Sequence, residues 1–379
     1  MDPEKSIEQI IAEMKQRNAP PGRPSRTQLE HLVQMGEVIT QVDCSGLALA
    51  GAKLAGAVIE NVSFEGADLS GADFSQSILH RVYLSGAVMK GAVLRATVLQ
   101  KAILAGADLS GADMTDITFS ESDLSRALLH RAVLNDGKIM QCKLNGVDLS
   151  GAGCRKAVFM ASDLSAADLR KADLELTSFV DADLSRVLLT STGIRQCFMK
   201  GVCLAGMDFN GMDLSMTQFI GADLSAADLT GANITQTNFM EANLKNAKLD
   251  GVKGRYAIFL KTDLSGASLT RSYLKQACFE DATLTMAAFD RSDLEASIFQ
   301  KAHCQGTRFI DATLTYCDFS YADVSAARFA GAGLYRMNCH GIRAEHTDWG
   351  GARHLTLGDD PDRIEAEQWQ PMNYWKEQS

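Results

Sequence analysis

The chain has 379 residues, 46% of them hydrophobic, with 37 Lys and Arg against 47 Asp and Glu and a formal net charge of −10. That apolar content suffices for a buried core, and the acidic balance argues against a protein that grips nucleic acid by its phosphates. No stretch approaches the length of a membrane span, and no charged segment leading into an apolar run opens the sequence, so a soluble, cytoplasmic protein is expected.

At the start, Asp2 can cap a helix with Pro3 in its first turn, and Ile7, Ile10, Ile11 and Met14 follow the i, i+3, i+4, i+7 spacing of one helical face. The run from Ala19 to Pro24 breaks it. Ser25 and Gln28 then form a capping-box pattern for a second short helix carrying Leu29, Leu32 and Val33 and stopped at Gly36. Residues 1–40 are therefore expected to be a helical and linker cap.

From Cys44 to Trp349 the chain repeats every five residues. Positions ending in 4 or 9 are apolar almost throughout, as in Leu49, Leu54, Ile59, Phe64 and Leu69, and Gly254 is the main irregularity, with Ala344 near the end. Positions two earlier are small, as in Ala52, Ala57, Ala67 and Ala72. Two residues apart on an extended segment share a face, so both point inward and the chain turns a corner every five residues. A second period of twenty runs through the series Leu84, Leu104, Leu124 to Leu284 and the series Phe119, Phe159, Phe179 to Phe319, which implies four sides per coil. Gly51, Gly71, Gly91 and Gly111 recur where the corners fall.

The motifs ADLSG, ADLSA and ANLKN fit the A(D/N)LXX consensus, and on them the chain resembles the pentapeptide-repeat family. The resemblance implies an all-β solenoid, a right-handed quadrilateral β-helix. About fifteen four-sided coils at roughly 4.8 Å each would make one rod on the order of 70 Å long. The repeat is expected over 41–349. After it, Asp360 and Pro361 can open a helix through Trp369, followed by Pro371 and an aromatic tail with Tyr374 and Trp375, so 350–379 is read as a helical tail or cap.

No catalytic or cofactor pattern emerges from the residues. The seven histidines form no metal-ligating spacing, and His80 and His303 are expected to be exposed on different sides. Asp68, Asp108, Asp148, Asp168, Asp208 and Asp228 belong to the repeat motif and are read as turn-bonding residues rather than acid-base pairs. Of nine cysteines, Cys44, Cys154, Cys304 and Cys339 occupy centres and Cys142, Cys197 and Cys317 the small positions, so they are expected to be reduced core side chains. No metal, no cofactor and no enzyme are expected.

The outside of the repeat carries the functional expectation. On the side with the Phe centres, Val58, Ile78, Val98, Val158, Phe198, Ile258 and Ile298 precede the centre and Met140, Met160, Val180, Ile220, Met240 and Leu260 follow it, a ribbon expected to be densest from Met140 to Leu260. Such a ribbon fits a protein partner or a homodimer seam, and hence a noncatalytic scaffold or adaptor. Arg95, Arg155, Arg195, Arg255 and Lys275 line the preceding side as solvated surface. Resemblance alone implies two narrower readings, an accessory of bacterial type VI secretion and, as the alternative, a DNA-mimicking binder of type II topoisomerase. Mimicry needs a strongly acidic repeat. The first forty residues hold five basic and six acidic groups and residues 350–379 three and six, which leaves about −6 for the repeat. Direct nucleic-acid binding is disfavoured, since no run interleaves aromatic with basic residues.

Overall fold

The computed structural model describes residues 23–353, 356, 358, 359 and 361–368. The expected first helix, with Ile7, Ile10, Ile11 and Met14, lies outside the described residues, as do Trp369, Tyr374 and Trp375. Two compact units divide the chain, one comprising Met1–Asp208 with Met212–Asp223, the other Phe209–Gly211 with Leu224–Ser379. Each is a parallel β-solenoid.

The first unit begins with helix α1, Arg26–Gln34, whose capping box pairs Ser25 and Gln28 reciprocally. Strands β1 (Ile39–Thr40), β2 (Val58–Glu60), β3 (Ile78–His80), β4 (Val98–Gln100), β5 (Thr118–Ser120), β6 (Lys138–Met140), β7 (Val158–Met160), β8 (Ser178–Val180) and β9 (Phe198–Lys200) follow, hydrogen-bonded in sequence order as one parallel sheet. Each strand pairs with the residue twenty further on, Ile59 with Leu79 and Phe159 with Phe179. The other sides are joined by single bridges at the same step, such as Asp68 with Val88.

β1–β9 account for eight coil-to-coil steps, fewer than the coils expected from counting fives. Beyond β9 the twenty-residue step is carried by isolated bridges, as far as Gly333 with Arg353 in the second unit. The reason is local. In β2–β9 the residue after the centre stays extended, whereas in the second unit it enters a closed turn, with the N–H of Ala242 donating to the carbonyl of Phe239 (2.9 Å) and that of Ala282 to Phe279 (3.1 Å). The second unit ends in helix α2, Pro361–Gln368.

The interior is built as the period requires. Centres such as Leu54, Phe64, Leu104 and Phe239 are fully buried, as are the small residues Ala67, Ala72 and Ala227. Between coils the centre N–H donates to the carbonyl of the residue before the next centre, Leu49 to Asp68 at 2.7 Å. Where Ser, Thr or Cys replaces the small Ala, its side chain turns back to a carbonyl of the previous coil: Thr217 Oγ1 to Ile194 O at 2.8 Å, Cys197 Sγ to Leu174 O at 2.9 Å. The buried polar atom is thereby satisfied.

Two features of the coils have local causes. Every corner uses a left-handed residue two after the centre, and besides Gly71 these include Leu176 (φ 62°) and Tyr256 (φ 61°). A non-glycine residue there costs about 1 kcal/mol, which the inter-coil hydrogen bonds outweigh. Gly254, the irregular centre, lacks a side chain because its neighbours fill the place: an added Cβ would lie 2.7 Å from Leu274 Cδ2 and 2.9 Å from Ile234 Cγ1. Gly254→Ala is therefore expected to destabilise the second unit by about 1–3 kcal/mol, read as a lowered melting temperature.

Candidate functional site

The outer face of the β1–β9 sheet carries two columns of side chains, one before and one after each buried centre. In the first column Val58, Ile78 and Val98 are register partners in consecutive strands, and all three are exposed, Ile78 by 51%. In the second column Met140, Met160 and Val180 are consecutive partners, with Val158 and Phe198 in the column beside them. Met160 is 43% exposed, and Met140, Val158, Val180 and Phe198 are half-buried. Ile220, also half-buried, follows in the same unit.

Met240, Ile258 and Leu260 belong to the second unit, where Ile258 and Ile298 are exposed and Met240 and Leu260 half-buried. On this face Val58, Ile78 and Val98 are all exposed, whereas in the Met140–Leu260 stretch, expected to be densest, Met160 and Ile258 are exposed and the other ribbon residues half-buried. Hydrophobic identity alone does not distinguish half-buried from exposed positions.

Exposed apolar residues on another side of the first unit are separated from each other. Val88 and Leu128 have Asp108 between them in register, and Asp148 and Asp168 intervene before Leu188. On the sheet face exposed and half-buried apolar neighbours meet directly along the ladder, at Val58–Ile78–Val98 and at Met140–Met160–Val180.

The motif aspartates are bound into turns. Asp68 Oδ1 accepts from Ser70 N at 3.0 Å, Asp148 Oδ1 from Ser150 N at 2.9 Å and Asp228 Oδ1 from Thr230 N at 3.0 Å. Hydrogen bonds from Ser70 and Thr230 hold the Asp68 and Asp228 carboxyls below their ordinary range, and the Arg170 side chain does the same for Asp168. A carboxylate depressed in the folded state contributes stability above its unfolded pKa and loses it as pH falls through the folded value. The melting temperature is accordingly expected to hold from neutrality to about pH 4 and to fall progressively below it, as a pH series of thermal melts would show.

Many acidic groups are also paired with cations: Asp113 with Arg95, Glu175 with Arg155 and Arg195, Asp263 with Lys245. This further weakens an acidic field of the kind mimicry of DNA requires. Burial pushes the thiols of Cys154 and Cys197 up to about 12, which suits inert packing side chains; Cys203 is exposed, and Cys278 and Cys339 are partly so. Among the described residues no group of three or more His, Cys, Asp and Glu could hold a metal ion, and no helix is long and apolar enough to cross a membrane.

His303 is exposed and His80 faces Glu60 at 3.5 Å, but His340 departs from the picture of lone surface histidines. It is 2% exposed, with Nε2 3.5 Å from Glu367 of α2 and Nδ1 3.7 Å from Asp359. Tyr321 Oη donates to the same Glu367, and Arg363 lies over the Tyr321 ring. These contacts seat α2 on the second unit. No spacing in the sequence announces them.

The family described as pentapeptide repeats matches residues 40–76, 77–116, 112–151, 138–175, 157–196, 195–231, 217–253, 255–285 and 292–331. No curated protein sequence matches significantly. Among solved structures, trypsin-treated QnrB1, a plasmid-mediated fluoroquinolone resistance protein, is 16% identical and aligns over 46% of this chain and 99% of its own, with a TM-score of 0.35. HetL from Nostoc sp. strain PCC 7120, involved in heterocyst differentiation regulation, is 28% identical over 66% of this chain and 88% of its own, with a TM-score of 0.18. A pentapeptide repeat protein of the Arabidopsis thaliana thylakoid lumen is 26% identical over 30% and 68%, with a TM-score of 0.20.

Proposed function

Since the chain belongs to the pentapeptide-repeat family, we propose that it is a noncatalytic scaffold that binds a protein, or a second copy of itself, through the outer sheet face of its first unit. The observation that carries this reading is the pair of unbroken apolar ladders, Val58–Ile78–Val98 and Met140–Met160–Val180, on a face where each neighbour is hydrogen-bonded in register. Such an apolar face supplies the core of an interface, and the surrounding Glu60, His80, Lys138 and Lys200 supply a polar rim. Ile220 extends it, and Met240, Ile258 and Leu260 form a similar stretch on the second unit.

In this reading residues 1–40 act as a cap, 41–349 as the repeat and 350–379 as a terminal tail, and no cofactor takes part. A cytoplasmic setting suits cysteines that serve as buried packing side chains. The type VI secretion role rests on no residue of this chain, and the topoisomerase reading lacks the acidic surface it needs.

The test is Met160→Asp combined with Ile220→Asp. Two carboxylates on the face are expected to weaken capture of the bound protein, or self-association, about a hundredfold or more. The circular dichroism spectrum and melting temperature should stay close to wild type, because both side chains point outward. Capture unchanged by the double variant would refute the reading.

A further inference from the structure

Another face, on the second unit, gathers residues that the sequence scatters at intervals near twenty. It is the side whose centres are Gly254, Leu274, Leu294, Leu314 and Leu334. Four tyrosines stand out from it, Tyr256, Tyr273, Tyr316 and Tyr335, exposed by between 41% and 62%. Lys253 and Tyr273 are bridge partners in adjacent coils, and Arg255 lies over the Tyr256 ring at 4.7 Å and hydrogen-bonds Gln276. Three coils along, Tyr316 and Tyr335 meet edge to face at 5.7 Å and Arg336 lies over Tyr316.

Two clusters result, each an aromatic surface with arginine upon it. Between them lie the small side chains of Ala296, Thr313 and Thr315, while Asp293 and Glu295 are both held by Lys275, at 3.3 and 2.6 Å. Arg255 and Arg336 face no carboxylate among the described residues; their side chains are engaged by Gln276 and tyrosine rings. In a chain with an overall formal charge of −10 this is a locally cationic, aromatic strip.

We infer that this strip is a docking site for an extended acidic polypeptide segment, independent of the apolar sheet face. Tyrosine and arginine are the side chains that concentrate binding energy at protein interfaces, and positive clusters at both ends select anionic residues. Arg255 and Arg336 lie four coil steps of about 4.8 Å apart, roughly 19 Å, the span of about six residues of extended chain. The ligand is thus a segment with acidic residues about six apart. A single-stranded nucleic acid fits less well, because its continuous phosphate charge would cross Asp293 and Glu295 midway.

Fluorescence anisotropy tests this with the full chain and a fluorescein-labelled peptide carrying two Glu pairs about six residues apart. Saturable binding that weakens with salt is expected. Arg255→Glu with Arg336→Glu should weaken it about tenfold or more, and Tyr273→Ser with Tyr316→Ser should also weaken it while the melting temperature stays unchanged. Absence of saturable binding, binding by both double variants as tight as by the wild type, or tighter binding of a single-stranded oligothymidylate than of the peptide would overturn the assignment.

Discussion

Phe279→Ala is expected to lower the stability of the second unit by about 3–5 kcal/mol, more than any surface substitution. Phe279 is fully buried and stacked between Phe259 and Phe299, both at 4.7 Å between ring centroids, with interplanar angles of 4° and 9°. Phe289 meets the same ring edge-on at 5.5 Å. Truncation removes the apolar volume and three aromatic contacts, and the flanking rings cannot close the gap because each is fixed by its own coil's backbone ladder. A loss of that size corresponds to a fall of roughly 10 °C in the melting temperature. Phe279→Leu, which keeps most of the volume, should lose less than half as much. A shift of only a degree or two for the alanine variant would mean that the stacked rings do not bear on stability.

Leu29→Asp is expected to open the first coil and drive association of the exposed edge. The first coil has no preceding coil to pair with, and α1 takes its place. In the regular ladder Asp73 N donates to Ala52 O one coil back, but Lys53 N donates to the Glu30 carboxylate at 2.9 Å. Where Gly51 N donates forward to Ser70 O, the equivalent acceptor Ala50 O receives Arg26 Nη1 at 2.7 Å, and Gly51 O receives Nη2 at 2.6 Å. Arg23 supplies Ser45 O at 3.0 Å. Leu29, fully buried, anchors the helix that presents these groups. Burying a charge in its place costs about 3 kcal/mol or more, so α1 should detach and leave an unpaired strand edge. Hydrogen exchange should then accelerate at Leu49, Gly51 and Leu54 while the rest of the first unit stays protected, and light scattering should detect larger species. Unchanged exchange there would show that α1 does not cover the edge.

Much of this fold can be read from residue spacing, because its information is periodic. The five-residue alternation of small and large apolar side chains follows from two inward positions between corners, and the twenty-residue matches of Leu and Phe report which residues stack. Ser25 and Gln28 marked the start of α1 for an equally local reason, a reciprocal hydrogen bond across one turn. What spacing could not convey is the conformation one residue past each centre. Met160 continues a strand, while Met240 lies in a turn, although both follow a Phe. Leu176 and Tyr256 occupy left-handed corners against their own preference, since the stack dictates the backbone there. The contact of His340 with Glu367 joins a coil to a terminal helix, and the Tyr256–Tyr335 strip emerges only when residues distant in sequence are brought to one side.

The apolar sheet face was legible as a pattern, but its exposure was not. Val58, Ile78 and Val98 are all exposed, whereas of Met140, Val158, Met160, Val180 and Phe198 only Met160 is. Both groups lie on the same nine-stranded sheet, so one partner can engage both.

The most direct test of this face places a photo-cross-linking amino acid at Met160 in one version of the protein and at Leu128 in another, and irradiates cells producing each. The two side chains are equally exposed, 43%, but Met160 belongs to the apolar ladder whereas Leu128 lies between Asp108 and Asp148 on another side of the same unit. A discrete cross-linked species, to another protein or to a second copy of the chain, is expected from position 160 and not from 128. No adduct at 160, or the same adducts from both positions, would contradict the assignment of the sheet face as the binding surface.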